Sequence, residues 1–269
     1  MSRDDCVLRL KELTGQSKVL FVKRGNVAIR TALKLAKSLG FKQVFLQDQG
    51  GWMTYKQFCD KERLLYAELK TDYGLVDPKS LESHKDCALL VNSMPGYHAL
   101  QDMTPIAEVC KKNKIFVIND VSGSISTKQA IVGDVILGSF GKAKPVNAGE
   151  GGFIATSNDD YMRFFEKDTG ASELDFKKLE EAMNSLSSRL VFLQTKRTKL
   201  LASLKAAGFE KAILHENNEG INVIVKFVDD AEKERLINIA SDEGVEYTTC
   251  PRDIRVLEEA VCFEVKRLS

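Results

Sequence analysis

Two lysines, Lys142 and Lys144, stand in the segment of the chain best suited to chemistry. They lie in a loop between a predicted strand at residues 135–137 and a glycine-rich turn at residues 149–152. The amine of a lysine held in this way can reach the aldehyde of a cofactor and form an internal aldimine with it, and partial desolvation favours loss of the amine's proton. Ser139, just after the strand, can donate a hydrogen bond to a phosphate oxygen. The alternative is a pair of solvated lysines on a surface turn.

Other positions suit the ring and the phosphate of such a cofactor. Asp120 follows the apolar run at residues 115–118, where a carboxylate can keep a pyridinium nitrogen protonated or, alternatively, can cap the next turn. Gly25 and Asn26 precede a predicted helix, whose N-terminal N–H groups and dipole favour anions. Trp52, the only tryptophan, can stack on a flat ring or simply pack near its loop.

The elements that must position these residues alternate along the first two-thirds of the chain. Short apolar runs predict strands and amphipathic stretches predict helices between them. The predicted strands cover residues 18–21, 44–46, 88–91, 115–118, 135–137 and 153–155. Near-continuous apolar strands separated by helices indicate an α/β fold with a mainly parallel sheet covered on both faces. In such sheets, ligands bind at the carboxyl ends of the strands and at helix N-termini, where the polar residues above are found.

The pattern changes at about residue 175. One long helix is predicted over residues 176–207, then a helix over 231–243 and strands over 221–227, 245–249 and 260–265. This pattern indicates a small α+β domain. We therefore predict a large cofactor-binding domain at residues 1–174, followed by a connecting helix and a small domain at residues 175–269.

Composition narrows the range of functions. The chain has 269 residues, of which 43% are hydrophobic and 29% are charged, and its formal net charge is +1. The balance of charge gives no reason to predict nucleic-acid binding, and no apolar run approaches the ~20 residues of a membrane helix. The six cysteines include no CxxC pair, so no metal site is predicted. The charged N-terminus and the scattered cysteines predict reduced thiols in a cytoplasmic protein.

Together these motifs resemble the fold-type I pyridoxal-phosphate enzymes, and most closely the DegT/StrS-like sugar aminotransferases. The lysine motif of that family is Ser-Phe, three residues, lysine, four residues and Gly-Glu-Gly-Gly, which Ser139, Phe140, Lys144 and residues 149–152 match. The family's other motifs occur here in the same order, over roughly residues 20–157. They are Gly25-Asn26-Val27-Ala28, a nearby aromatic (Trp52), Asp77-Pro78 with Leu81-Glu82, Gly96 with Asp102-Met103 and Ile106, and Ile118-Asn119-Asp120.

The resemblance implies pyridoxal 5'-phosphate as cofactor and an aminotransferase that uses a lysine aldimine. It implies Lys144 rather than Lys142 as the linking lysine and Asp120 as the partner of the ring nitrogen. Trp52 is implied beside the ring, and Gly25, Asn26 and Ser139 at the phosphate. Small-molecule amino donors and acceptors are implied as partners, and so is a homodimer with residues of both chains near the cofactor.

Two departures from the family keep other functions open. Gly123 stands where the family usually has a glutamine, and only about 125 residues follow Lys144, fewer than is usual for the family. The alternatives are a lyase or decarboxylase using the same cofactor, or a shortened relative that binds the cofactor or a partner without catalysis. No arginine for a substrate carboxylate is evident from the sequence. Arg252, in a polar turn of the predicted small domain, is the candidate.

Overall fold

A seven-stranded sheet forms the centre of the computed structural model, which describes residues 3–170 and 173–269. Its spatial order is β1-β7-β6-β5-β4-β2-β3. β7 runs antiparallel to both β1 and β6, and the other paired strands are parallel, so the predicted mainly parallel sheet is confirmed. The strands are β1 (Lys18–Val22), β2 (Gln43–Gln47), β3 (Leu65–Leu69), β4 (Ala88–Asn92), β5 (Phe116–Asp120), β6 (Val135–Ser139) and β7 (Gly152–Thr156).

Helices cover both faces of this sheet, and alternate residues of β5 show how. Phe116 and Ile118 point into the core that contains α2, whereas Val117 points into the core that contains α4. Both faces of a strand are thus apolar, which is the reason for its continuous apolar sequence. The helices are α1 (Arg3–Thr14), α2 (Gly25–Ser38), α3 (Thr54–Glu62), α4 (Met103–Asn113) and α5 (Asp159–Thr169).

The C-terminal region contains a second, three-stranded antiparallel sheet in the order β8-β10-β9. A small α+β arrangement was predicted, and it is present. Its elements are α6 (Phe176–Asn184), α7 (Leu186–Ala206), β8 (Val223–Lys226), α8 (Asp230–Asp242), β9 (Tyr247–Cys250) and β10 (Ala260–Phe263). The division into domains at residues 174 and 175 stays a prediction.

The single helix expected over residues 176–207 is wrong, because the chain breaks at Ser185 into α6 and α7. Leu179 and Met183 of α6 pack in the core beside α1, whereas Leu193 and Leu200 of α7 pack in the core of the small sheet. Serine also competes with the helix for backbone hydrogen bonds, and the Ser185 hydroxyl donates to the Ala182 carbonyl at 3.2 Å. The segment therefore forms two helices, and each packs in a different core.

The sheet places its polar strand ends next to the beginning of α2. β4, β5 and β6 run in parallel and end at Asn92, Asp120 and Ser139. Gly25, the first residue of α2, lies so close to β6 that a Cβ on it would be 2.8 Å from the Cβ of Ser139. Only glycine fits there without displacement, so the backbone at the start of α2 directly adjoins the end of β6.

Candidate functional site

A cavity of about 550 Å³ lies at this edge of the sheet and extends to the loop between β9 and β10. All of the residues that the sequence assigned to the cofactor line it: Gly25, Asn26, Trp52, Asp120, Ser139 and Lys144. Lys142 lines it as well. The fold therefore gathers these residues around one space, while the role of each stays a prediction.

Lys144 lies deeper than Lys142, which is exposed. The Lys144 ammonium donates a hydrogen bond to the Tyr97 hydroxyl, and it lies 5.5 Å from the centroid of the Trp52 ring. Between the two lysines, Ala143 has φ +58°, so the segment is not extended there. This difference in environment favours Lys144 as the reactive amine.

Asp120 is 4% exposed at the end of β5, and two donors hold its carboxylate. The Tyr55 hydroxyl donates to Oδ2 at 2.6 Å, and the Ser122 N–H donates to Oδ1 at 3.0 Å. Burial, and then the negative charge of Asp120, raise the pKa of Tyr55 well above its ordinary value, so Tyr55 stays a donor. Asp120 thus accepts a hydrogen bond from the turn that follows β5, and it also lines the cavity.

The N-terminus of α2 offers backbone donors to the cavity. Its preceding residue, Arg24, is extended and makes no side-chain capping hydrogen bond. The amide oxygen of Asn26 accepts from Trp52 Nε1 at 2.9 Å and from the Thr54 hydroxyl at 3.3 Å. Asn26 therefore also fixes the Trp52 indole beside the cavity, and this helix terminus is suited to an anion.

Cations from the C-terminal region also line the cavity, and the sequence did not reveal them. They are Arg255, Lys266 and Arg267. Arg255 and Lys266 are buried beside the fully buried Glu264, whereas Arg252 is exposed and does not line the cavity. Burial raises the pKa of Glu264, but Arg255 and Lys266 outweigh that effect and the pKa is lowered overall. The C-terminal region thus contributes positive charge to the lining of the cavity.

Residues 3–170 and 173–269 contain neither a metal-binding cluster nor a membrane-spanning helix. Within them, no three or more His, Cys, Asp or Glu side chains are grouped so as to hold a metal ion. No helix in the same ranges combines the length and the apolar character needed to cross a membrane.

Comparison with models of known protein families identifies the family of this chain. The model of the DegT/DnrJ/EryC1/StrS aminotransferase family matches residues 9–196, which is more than half of the chain. The chain belongs to this aminotransferase family. The model of the MJ1341 family C-terminal domain matches residues 193–269. Comparison with curated protein sequences gives no significant match.

Solved structures share the fold of this family member at low identity. A structure of 3-amino-5-hydroxybenzoic acid synthase is 13% identical, with 98% of this chain and 85% of that chain covered and a TM-score of 0.73. A DegT DnrJ EryC1 StrS aminotransferase from Brucella abortus is 14% identical, with 97% and 84% covered and a TM-score of 0.75. A Sphingomonas wittichii serine palmitoyltransferase is 13% identical, with 96% and 69% covered and a TM-score of 0.70.

Pyridoxal 5'-phosphate is the cofactor of the DegT/DnrJ/EryC1/StrS aminotransferases, and the cavity suits it. The start of α2 has no side-chain cap, and Gly25, Asn26 and Ser139 all line the cavity there. A buried carboxylate and a half-buried amine stand at the same cavity. The cavity thus offers a group of matching chemistry to the phosphate, the ring nitrogen and the aldehyde of the cofactor.

Gly123, at the position where the family usually has a glutamine, has little space around it. A Cβ on Gly123 would lie 2.9 Å from the Cβ of Met94 and 3.1 Å from Cδ1 of Tyr97. These two side chains occupy the space that a longer residue at position 123 would need. Gly123 is therefore closely packed against Met94 and Tyr97.

Proposed function

We propose that this chain is a pyridoxal-phosphate-dependent aminotransferase and that Lys144 links covalently to the cofactor aldehyde. The main support is the placing of three different groups around one cavity: the Lys144 amine, the buried Asp120 carboxylate and the uncapped start of α2. When bound, the cofactor supplies an electron sink for negative charge that develops on the substrate carbon.

Asp120 keeps the pyridine nitrogen protonated in this proposal. Its carboxylate is held on one oxygen by Tyr55 and on the other by the N–H of Ser122. These two donors fix the orientation of the carboxylate, and its burial strengthens an ion pair with a pyridinium. Tyr55 acts through Asp120 and is thus a positioning residue.

Lys144 moves the proton. With its Nζ free, Lys144 would take a proton from the substrate carbon as a general base and give it back as a general acid. The Tyr97 hydroxyl accepts a hydrogen bond from this amine and keeps it at the cavity. The Trp52 ring lies on one side of this amine, with its centroid 5.5 Å from the ammonium.

The phosphate is assigned to the start of α2. The backbone N–H groups near Gly25 and the side chains of Asn26 and Ser139 hold it. Ser139 Oγ accepts from the Gly141 N–H at 3.2 Å, so its own hydroxyl hydrogen stays available to a phosphate oxygen. These groups would hold the cofactor by its phosphate.

A lyase or decarboxylase acting with the same cofactor is the second candidate. The chain shares its fold with a serine palmitoyltransferase, which is not an aminotransferase. Because one fold can support several reactions with this cofactor, we retain this second candidate. We also propose a small-molecule amino donor and acceptor, a homodimer and a cytoplasmic location. Light scattering tests the homodimer, and cell fractionation tests the location.

The half-reaction with an amino donor tests the proposed function. Protein loaded with pyridoxal phosphate is incubated with a panel of amino acids, and the released cofactor is identified by chromatography. An aminotransferase leaves pyridoxamine phosphate, and Lys144→Ala abolishes its formation while Lys142→Ala retains it. Substrate cleavage without pyridoxamine phosphate identifies a lyase or decarboxylase. Cofactor binding without either product identifies a non-catalytic relative and contradicts the proposal.

A further inference from the structure

A second cavity, of about 460 Å³, borders α7 and is here called the α7 cavity. Its walls come from α7, from the segment that follows β5, from the loop that precedes β8 and from Met94. Within the described residues it shares no lining residue with the cavity that contains Lys144. The reaction proposed above therefore makes no use of it.

Arg197 brings a buried positive charge to the α7 cavity. The residue is only 8% exposed, yet it lines the cavity. Its Nη2 donates to the carbonyl oxygens of Glu216 at 3.2 Å and of Asn218 at 3.1 Å, so the guanidinium is fixed at the wall. Among residues 3–170 and 173–269, its Nε finds no hydrogen-bond partner. Neutral carbonyls hold this guanidinium in place but do not neutralise its charge.

The charge of Arg197 is not balanced by an ion pair. None of the ion pairs between the described residues includes it. Burial lowers the pKa of Arg197, and Glu216, which is itself paired with Lys205, opposes this effect without outweighing it. A buried charge without an ion pair is costly, so its retention at a cavity indicates that a ligand supplies the anion.

The rest of the α7 cavity offers an apolar wall and a carboxylate. Met94 and Ile221 are buried and Leu190 is half-buried, so a ligand can make apolar contacts with them. Glu219 also lines the cavity and is exposed, so its carboxylate can meet a cation of the ligand. A guanidinium, a carboxylate and an apolar wall match, in turn, the carboxylate, the ammonium and the side chain of an apolar α-amino acid.

We propose that the α7 cavity binds an apolar α-amino acid at a site separate from the cofactor. Arg197 binds the carboxylate of this ligand, Glu219 binds its ammonium, and Met94, Leu190 and Ile221 contact its side chain. A ligand that carries only negative charge fits less well, because the Glu219 carboxylate repels it. Binding here needs no reaction with the cofactor, so the site does not depend on the proposed function.

Calorimetric titration with three molecules of similar shape tests the site. Protein loaded with pyridoxal phosphate is titrated with leucine, with 4-methylpentanoate, which lacks the amine, and with 3-methylbutylamine, which lacks the carboxylate. The absorbance of the cofactor is recorded in parallel, because an amine that reacts with the cofactor changes it. The same titrations are made on Arg197→Met, on Glu219→Gln and on the matched control Lys196→Met, since Lys196 is exposed on α7 and does not line the cavity. Circular dichroism checks that each variant is folded.

We expect leucine to bind the unmodified protein saturably and more tightly than either analogue with a single charge. Loss of a buried charged partner should weaken leucine binding roughly ten- to a hundredfold in Arg197→Met. Glu219 is exposed, so Glu219→Gln should weaken leucine binding by only about two- to fivefold, and it should not weaken binding of 4-methylpentanoate. Lys196→Met should leave the affinities unchanged.

Two results would overturn the proposal. Leucine that does not bind the unmodified protein, or that binds Arg197→Met equally well, overturns the site. Binding of 4-methylpentanoate through Arg197 that is as tight as that of leucine overturns the choice of an amino acid. Because Arg197 also holds the loop at residues 216–218, Glu219→Gln is the variant that leaves this loop intact. A loss in Glu219→Gln that affects leucine alone supports the site, whereas an equal loss for both carboxylates contradicts the role of Glu219.

Discussion

Replacing Lys266 with methionine should make the protein more stable at neutral pH. The pKa of Lys266 is lowered to about 8 from 10.5, mainly by burial. This difference corresponds to about 3 kcal/mol, the free energy by which the folded protein disfavours the charged lysine. The unfolded chain binds the proton more tightly, so the full cost is present below pH 8 and is released as pH rises from about 8 to 10.5.

Urea denaturation at pH 7 and at pH 10 measures this effect. At pH 7 we expect Lys266→Met to unfold with a free energy about 2–4 kcal/mol higher than the unmodified protein, and near pH 10 the difference should fall below about 1 kcal/mol. Lys211→Met, at an exposed position, should differ little at either pH. Equal or lower stability of Lys266→Met at pH 7 would refute the reasoning, as would a difference that does not shrink at pH 10.

The other predictions concern the cofactor. Asp120→Asn should keep the fold, checked by circular dichroism, and lower turnover by at least ~10²-fold, because an unprotonated ring is a poorer electron sink; unchanged turnover would reject the role of Asp120. Asn26→Ala and Ser139→Ala should each weaken the affinity for pyridoxal phosphate roughly ten- to a hundredfold in a fluorescence titration, and unaltered affinity would reject the phosphate site.

The cofactor side of the site was predictable because its residues follow recognisable local patterns. Asp120 ends an apolar strand, Gly25 begins an amphipathic helix, and Lys144 has a fixed spacing to a glycine-rich turn. In a mainly parallel sheet, strand ends and helix beginnings come together at one edge, so local patterns were enough to predict that these residues would meet.

The side of the cavity formed with the C-terminal region was not predictable in the same way. Tyr97, Arg255 and Lys266 come from distant parts of the chain and meet only through packing of the C-terminal region. In the sequence, Glu264 and Lys266 look like exposed charges near a terminus, whereas the fold buries both. Tyr55 resembles an ordinary core residue of α3, since nothing local shows that its hydroxyl meets Asp120. The break at Ser185 was not predicted for a related reason. Helical periodicity does not show that the two halves of the segment pack in different cores.

Mapping of the cofactor-linked lysine tests the central claim most directly. Protein loaded with pyridoxal phosphate is reduced with borohydride and digested, and the labelled peptide is identified by mass spectrometry. We predict that the label lies on Lys144, that Lys144→Ala abolishes it, and that Lys142→Ala leaves it in place. Label on Lys142, or no label on either lysine with the cofactor in excess, would contradict the account.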